Sequence, residues 1–227
     1  MSGIDLTTML AIHHGLRRDL RRFAAAAVAT PVGDTGAWSA LLRRWDLFAA
    51  VLEDHHHNED LVVWPLLRER AAEAGDSHAL RVLAEAEAEH DGIDALLRPA
   101  RGALAVRRDA TGAVERARRG LERHLDHEES EALPLLGQYV GAAEWDEVQA
   151  SLRTGPPARL LLSLPAWLLD ELPAELAHPL VAGAGWHLRL IARLGAPRLR
   201  RLDRRAFRHV SQSDPSAAPV AGSSVLP

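Results

Sequence analysis

The chain has 227 residues, 47% of them hydrophobic, which is enough for one sizeable domain with an extension or for two small domains. It has no cysteine, which excludes disulfides, thiolate metal sites and redox cysteines. The net charge of −4 argues against general nucleic-acid binding. That charge is uneven, because residues 1–150 hold 17 Arg against 26 acidic residues (−9), whereas residues 151–227 hold 10 against 5 (+5).

The N-terminus lacks the pattern of a signal peptide, and no apolar run is long enough to cross a bilayer. We therefore expect a cytoplasmic protein without a membrane partner.

Hydrophobic residues recur at spacings of three and four along four segments, which predicts four amphipathic helices joined by short loops. The expected helices run from Ile4 to Ala29, from Ala37 to Ala74, from the cap at Asp76 or Ser77 to a weakening at Pro99, and from Thr111 to Val140, with a further short helix from Ala143 to Leu152. Asp34 or Thr35 is expected to cap the second helix and Gly75 to end it. The predicted fold is all-α, an up-down-up-down four-helix bundle with a short-helix, Pro-interrupted C-terminal extension.

Beyond the bundle, repeated prolines predict two or three short helices rather than one long helix. We divide the chain into a bundle at residues 1–150, a helical extension of unknown role at 151–210 and a disordered tail at 211–227. The Arg-rich run from Arg198 to Arg208 is either a surface for an acidic protein partner or a solvated helix face.

One level of the four core stripes is polar instead of apolar. The residues at this level are His13, His55, Glu59, His90, His124 and Glu128. Residues four apart lie one turn apart on the same helix face, so each glutamate points with the histidine before it. Burying these groups is unfavourable unless something compensates, and a metal ion is the strongest compensator. The second stripe is expected to return to apolar residues at Val62 and Leu66.

An internal repeat supports this reading. The segment from His55 to Leu67 matches the segment from His124 to Leu136 at a constant offset of 69, with histidine, glutamate, proline and two leucines in register. The chain is therefore expected to be two helical hairpins that carry the same polar layer.

Imidazole and carboxylate together suit iron, and also manganese or zinc. Two carboxylates from opposite hairpins can bridge two metals about 3.5–4 Å apart. Asp94, one turn after His90, is either a further ligand or a solvated residue. The equivalent slot on the first helix is Arg17, which cannot ligate, so the two metals should be unequal and one should keep an open position. His56, His57 and His127 are read as exposed groups or as partners of ligands.

The sequence resembles the hemerythrin-like (HHE) cation-binding domain over roughly residues 5–140. The features that carry the resemblance are Ile12-His13, His55-x-x-x-Glu59 with Trp64-Pro65, Glu89-His90, and His124-x-x-x-Glu128 with Leu133-Pro134. It implies a di-iron centre able to bind dioxygen, with Glu59 and Glu128 as bridges. His13 and His55 would serve one iron, and His90 and His124 the other. Oxygen carriers of this family place histidine where Asp94 stands, and the added carboxylate favours the ferric state by charge, which disfavours reversible carriage.

Three functions follow as hypotheses. The first is a non-haem di-iron protein that binds or senses dioxygen, an oxidant such as peroxide, or nitric oxide. The second is an enzyme, a peroxidase- or oxidase-like catalyst at the same centre. The third is an iron-holding module that acts through its Arg-rich C-terminal region.

Overall fold

The computed structural model describes residues 4–152 and 160–210, and every regular element within those ranges is helical. The elements are α1 (Thr7–Ala29), α2 (Thr35–Asn58), π1 (Glu59–Val63), α3 (Trp64–Glu73), α4 (Ser77–Val106), α5 (Ala110–His127), π2 (Glu128–Ala132), α6 (Leu133–Tyr139), α7 (Ala142–Leu152), α8 (Leu164–Leu168) and α9 (Ala174–Ala206). The all-α fold class is therefore confirmed, and the expected disordered tail lies outside the described residues. Within the described part of the chain, no helix combines the length and apolar character that a membrane crossing needs.

Four helical rods surround the core: α1, α2–π1–α3, α4 and α5–π2–α6. The first rod packs against α2 and α5, and α4 packs against the same two helices. The Asp34 carboxylate caps α2 by accepting the N–H of Ala37 at 3.0 Å, and the Asp76 carboxylate caps α4. Gly75 adopts φ +68° after α3, a conformation that glycine reaches without strain. The residues expected to cap or end the predicted helices, Asp34, Gly75 and Asp76, thus lie where the rods begin and end.

Two of the rods contain a π-helical turn, at Glu59–Val63 and at Glu128–Ala132. Each turn begins at the glutamate of the polar level. Pro65 and Pro134 lie in the first turn of the α-helix that follows. A proline inside a helix lacks an N–H and its ring clashes with the carbonyl four residues earlier, so a widened turn relieves the conflict. The prolines therefore give a local reason for the π turns.

The first π turn shifts the register of the residues that follow it. Val63 and Leu67 are buried, at 1% and 0% exposed, whereas Val62 and Leu66 are only half-buried. The expectation that Val62 and Leu66 continue the core was wrong, because the extra residue in a π turn moves the inward face on by one position.

Three prolines lie inside long helices, Pro99 in α4 and Pro179 and Pro197 in α9. The expected weakening at Pro99 and the expected short C-terminal helices were therefore wrong: α4 continues to Val106, and α9 is 33 residues long. All three prolines are exposed, so water can satisfy the carbonyl groups that lose a partner while the opposite face stays packed.

The C-terminal extension packs on the bundle through a buried cluster of charges. Arg18, Asp19 and Arg44 are all at most 2% exposed. Nε1 of Trp167 in α8 donates to Asp19 Oδ2 at 2.6 Å, and Arg44 Nε donates to Asp203 of α9 at 2.8 Å. Burial alone would raise the pKa of Asp19, but Arg44 and Arg18 outweigh it and lower that pKa below its ordinary value. The cluster therefore stays ionised and joins α8 and α9 to α1 and α2.

The apolar core has two parts. The larger core is built by α1, α2, α4 and α5 together with α8 and α9. The smaller core is built by α3, α6 and α7 with one end of α1 and of α4. The polar level lies between these two cores.

Candidate metal centre

Seven buried side chains from the four rods form two groups that have the composition of metal sites. Group one consists of His13, His55, Glu59 and Glu128, and group two consists of His56, His90 and His124. Within each group, one potential ligand atom of every residue lies within 4.8 Å of the others. None of the seven side chains is more than 7% exposed.

Glu59 reaches both groups with its two oxygens. Its Oε1 lies 3.4 Å from Nε2 of His55, and its Oε2 lies 3.7 Å from Nε2 of His90. Because His55 is in group one and His90 is in group two, this carboxylate spans the gap between them.

Glu128 does the same from the opposite hairpin. Its Oε2 lies 3.4 Å from Nε2 of His13, and its Oε1 lies 3.3 Å from Nε2 of His124 and 3.7 Å from that of His90. Both carboxylates thus present one oxygen to each histidine group, which is the arrangement required of bridging ligands.

Carboxylates accept a hydrogen bond from Nδ1 of three of the histidines, on the side of the ring that faces away from the centre. These bonds run from His13 to Glu129 at 2.8 Å, from His90 to Asp60 at 2.9 Å and from His124 to Glu89 at 2.9 Å. Because a carboxylate can only accept, Nδ1 carries a proton, and in the neutral form of each ring Nε2 keeps a lone pair toward the centre. Such partners fix the tautomer and orientation of metal-binding histidines.

The inward atoms lack hydrogen-bond partners. They are Nε2 of His56, His90 and His124 and both oxygens of Glu59 and of Glu128. A buried polar group without a partner costs about 1–3 kcal/mol, so seven such atoms in one place need a compensating ligand. A cation supplies that compensation, since all seven present lone pairs or negative charge.

The spacing of the nitrogen atoms also fits a cation. Nε2 of His13 and Nε2 of His55 lie 3.1 Å apart. Two nitrogens bound to one ion at about 2.1 Å and at right angles are about 3 Å apart. The donor set is nitrogen and oxygen only, which suits iron, manganese or zinc.

At His90, burial would lower the pKa, but the carboxylates of Glu128 and Asp60 outweigh it and raise that pKa above its usual value. At three other histidines, burial sets the protonation. It lowers the pKa of His55 well below its usual value, lowers that of His56 to about 2, and also lowers that of His124. The neighbouring histidines add to the shifts at His55 and His56, since positive charges so close together repel each other. These three rings are therefore neutral near pH 7, the form that binds a metal.

Glu59 shows the opposite tendency. Its burial, and then the nearby charge of Glu128, raise its pKa well above the usual range. In the absence of a cation the raised pKa favours the protonated form of Glu59, and binding of a cation would displace that proton.

A family model described as the hemerythrin HHE cation-binding domain matches residues 5–136. The chain belongs to this family. No curated protein and no solved structure gives a significant match to the chain. The family match covers the four rods up to residue 136 and all seven residues of the two groups, and it confirms the resemblance seen in the sequence.

The HHE domain brings six of the seven predicted site residues together, namely His13, His55, Glu59, His90, His124 and Glu128. The seventh, Asp94, is exposed and lies outside both groups. After His90 the buried face of α4 continues at Ile93 and Leu97, which turns Asp94 toward solvent. Arg17 donates to Glu129 and Asp126 at 2.5 and 2.6 Å, so it supports the carboxylate behind His13.

His56 is a member of group two that the sequence reading placed outside the ligands. Its ring stacks on that of His90, with centroids 3.9 Å apart and planes 7° apart. A sequence signal for His56 as an inward residue was present one turn earlier, where Val51 and Leu52 are adjacent apolar residues. Both of them are buried. A bundle helix buries a stripe wide enough for two neighbouring positions, and His55 and His56 continue that pair.

Proposed function

We propose that this HHE protein is a non-haem di-iron protein that binds or senses dioxygen, an oxidant such as peroxide, or nitric oxide. The proposal rests on one observation: Glu59 and Glu128 each direct one oxygen to group one and the other to group two. We propose further that the four rods run alternately up and down and that the protein is cytoplasmic. Short connections between neighbouring rods support the first of these.

The two groups would hold unequal metal ions. Group one offers two histidines and group two offers three, and both share the oxygens of Glu59 and Glu128. The ion at group one would therefore have fewer protein ligands and more room for a small molecule. Iron bound there would supply a centre that can exchange electrons with a small oxidant.

The residues of the chain itself limit the access of water and hold protons in place. The two apolar cores close the site on two sides and so limit the access of bulk water. Glu129, Asp60 and Glu89 keep the protons on Nδ1 of their histidines. The site is therefore shaped before any ligand arrives, which is the property expected of a selective binding centre.

Anaerobic loading with ferrous iron, desalting and metal analysis, followed by an absorption spectrum on admission of air or nitric oxide, tests the proposal. We expect two irons per chain and a new charge-transfer band. Retention of iron without a spectral response to either gas or to peroxide would refute gas and oxidant binding. Loss of all iron from a protein that stays helical would refute the metal centre itself.

A di-iron peroxidase- or oxidase-like enzyme is the second candidate. A cavity of about 300 Å³ that is lined in part by His55 and Glu59 favours it, because a catalyst needs room for a substrate beside its metal. Peroxide consumption that requires iron, and that disappears in Glu59→Ala but persists in a matched surface variant, would support the enzyme. Consumption that persists in Glu59→Ala would count against it.

An iron-holding module that acts through α9 is the third candidate. Seven arginines of this helix are exposed, which favours an acidic protein partner: Arg189, Arg193, Arg198, Arg200, Arg201, Arg204 and Arg205. Simultaneous Arg189→Gln, Arg193→Gln and Arg200→Gln should abolish salt-sensitive binding of polyglutamate without changing the iron content. Truncation is a poor test, since α8 and α9 share the larger core with the bundle.

A further inference from the structure

A cavity of about 300 Å³ lies between the N-terminal half of α1, the C-terminal half of α2, and the helices α7, α8 and α9. Its walls are mostly apolar, and the side chains that shape them include Met9, Ile12, Val51, Leu164, Leu168 and Leu188. The bundle supplies one side of the cavity and the C-terminal extension supplies the other. The extension therefore has a role at the site that the family match, which ends at residue 136, does not cover.

The inner end of the cavity is formed by the metal centre. Of the seven residues in the two groups, His55 and Glu59 line the cavity, and both belong to group one. That group has two histidines against the three of group two. A molecule in the cavity would thus approach the side of the centre that has fewer protein ligands.

The outer end of the cavity reaches solvent beside Asp5 and Thr8, which line it and are exposed. Trp145 of α7 closes one wall, and its Nε1 donates to the backbone oxygen of Asp5 at 2.7 Å. This bond holds α7 against the start of α1, so the wall is a fixed part of the fold.

We propose that this cavity binds a neutral, apolar organic molecule with one end against His55 and Glu59. The inference rests on the proposed function, which it deepens by naming the class of substrate or effector that accompanies the metal centre. Apolar walls with a few polar groups are the usual composition of small-molecule sites.

Size and charge define the ligand further. At roughly 30 Å³ for each non-hydrogen atom, the share of a water molecule in the liquid, the cavity holds on the order of ten such atoms. Apolar walls disfavour an anionic ligand, because burying a charge without a partner is costly. The carboxylate of Asp5 at the wall adds like-charge repulsion. A linear alcohol of eight carbons matches both requirements, whereas the corresponding carboxylate matches only the size.

Calorimetric titration of the metal-free full-length protein with 1-octanol and with octanoate tests the proposal without relying on metal chemistry. We expect saturable binding of one 1-octanol per chain and binding of octanoate at least tenfold weaker. Absence of saturable 1-octanol binding, or octanoate binding as tight as that of the alcohol, would overturn the proposal.

Two substitutions on α9 provide a matched pair. Leu188 lines the cavity, whereas Leu190, two residues further on, is 46% exposed and does not line it. Leu188→Trp should weaken 1-octanol binding at least tenfold, and Leu190→Trp should leave it within twofold. Equal affinities in the two variants would place the alcohol elsewhere and overturn the assignment.

A third variant covers the case in which Leu188→Trp does not fold, as judged by circular dichroism. Leu188→Ala enlarges the cavity, so the preference for 1-decanol over 1-octanol should rise at least threefold, and an unchanged preference would overturn the proposal. Iron content, measured on separate samples of the same proteins after loading with ferrous iron, separates the two hypotheses. Iron retained without alcohol binding refutes the cavity alone, whereas alcohol bound without iron retention refutes the metal centre alone.

Discussion

Trp167 and Asp19 are 148 residues apart in sequence, and the indole Nε1 of the first donates to the buried carboxylate of the second at 2.6 Å. The indole ring lies directly over Gly15, where a Cβ atom would come within 2.6 Å of it. The extension is thus fitted against α1 within one turn of His13, and its attachment and the metal centre share the same stretch of helix.

Asp19→Asn should destabilise the protein by about 3–5 kcal/mol, because it removes the buried charge that Arg18 and Arg44 share. Urea unfolding followed by circular dichroism gives the free energy of unfolding. The matched control is Asp46→Asn, which removes an exposed pair with Arg101 and should change stability by at most about 1 kcal/mol. Equal losses in the two variants would show that the buried cluster does not hold the extension.

Glu59→Gln and Glu128→Gln should each lower the iron content of the loaded protein from two per chain to one or fewer. An amide keeps the shape of the side chain but removes the negative charge that both metal positions share. Metal analysis after desalting measures the loss. Glu131→Gln, on the exposed side of the second π turn, is the control and should keep two irons. Retention of both irons in the Glu59 and Glu128 variants would exclude bridging.

Glu89→Gln should weaken metal binding by about 10–100-fold, the usual effect of losing a carboxylate behind a metal-binding histidine. Glu89 accepts from Nδ1 of His124 at 2.9 Å and lies 3.2 Å from Nδ1 of His127. Competition with a chelator of known affinity measures the change. Glu85→Gln, one turn earlier on the same helix and exposed, should have no effect. A Glu89 variant that competes as well as the Glu85 variant would contradict this account.

His56→Ala and Asp94→Asn distinguish the structural ligand set from the one expected from sequence. His56 is 6% exposed and belongs to group two, whereas Asp94 is exposed and belongs to neither group. We expect His56→Ala to reduce the iron content and Asp94→Asn to leave it unchanged. The reverse result would restore Asp94 as a ligand and exclude His56.

The free energy of unfolding of the metal-free protein should depend on pH through the buried histidines. Burial lowers the pKa of His55, and lowers that of His56 to about 2, from a value near 6.5 in the unfolded chain. Each therefore gains a proton on unfolding once the pH falls below about 6.5. Its contribution to stability is complete above that pH and is lost below it, by up to about 1.4 kcal/mol per pH unit.

Urea unfolding at pH 7.5 and pH 5.5, with chelator present, measures this dependence. His56→Leu should reduce the loss on acidification, whereas His57→Leu, at the exposed neighbouring position, should not. Glu59, whose pKa is raised, contributes with the opposite sign in both variants, so the comparison isolates His56. An identical loss in the two variants would show that His56 does not take up the proton.

The sequence was sufficient to predict the four rods and six of the seven residues in the two groups, because a regular period determines which side chains face inward. It was not sufficient to predict the register of Val63 and Leu67, since the π turn before them depends on how a helix accommodates Pro65. The long α9 was missed for a related reason. Whether Pro179 and Pro197 break a helix depends on which face meets solvent, and that is decided by tertiary packing.

The position of the polar level between the two apolar cores bears on how the protein unfolds. Its nitrogens and oxygens without hydrogen-bond partners couple the unfolding of the larger and smaller cores only weakly when no cation is bound. A cation held by ligands from all four rods would couple the two parts, since neither could open without losing it. Metal binding should therefore sharpen the unfolding transition as well as raise its midpoint, and the free protein should show a broad or two-step transition. In that case the bound cation would make the larger and the smaller core unfold as one cooperative domain.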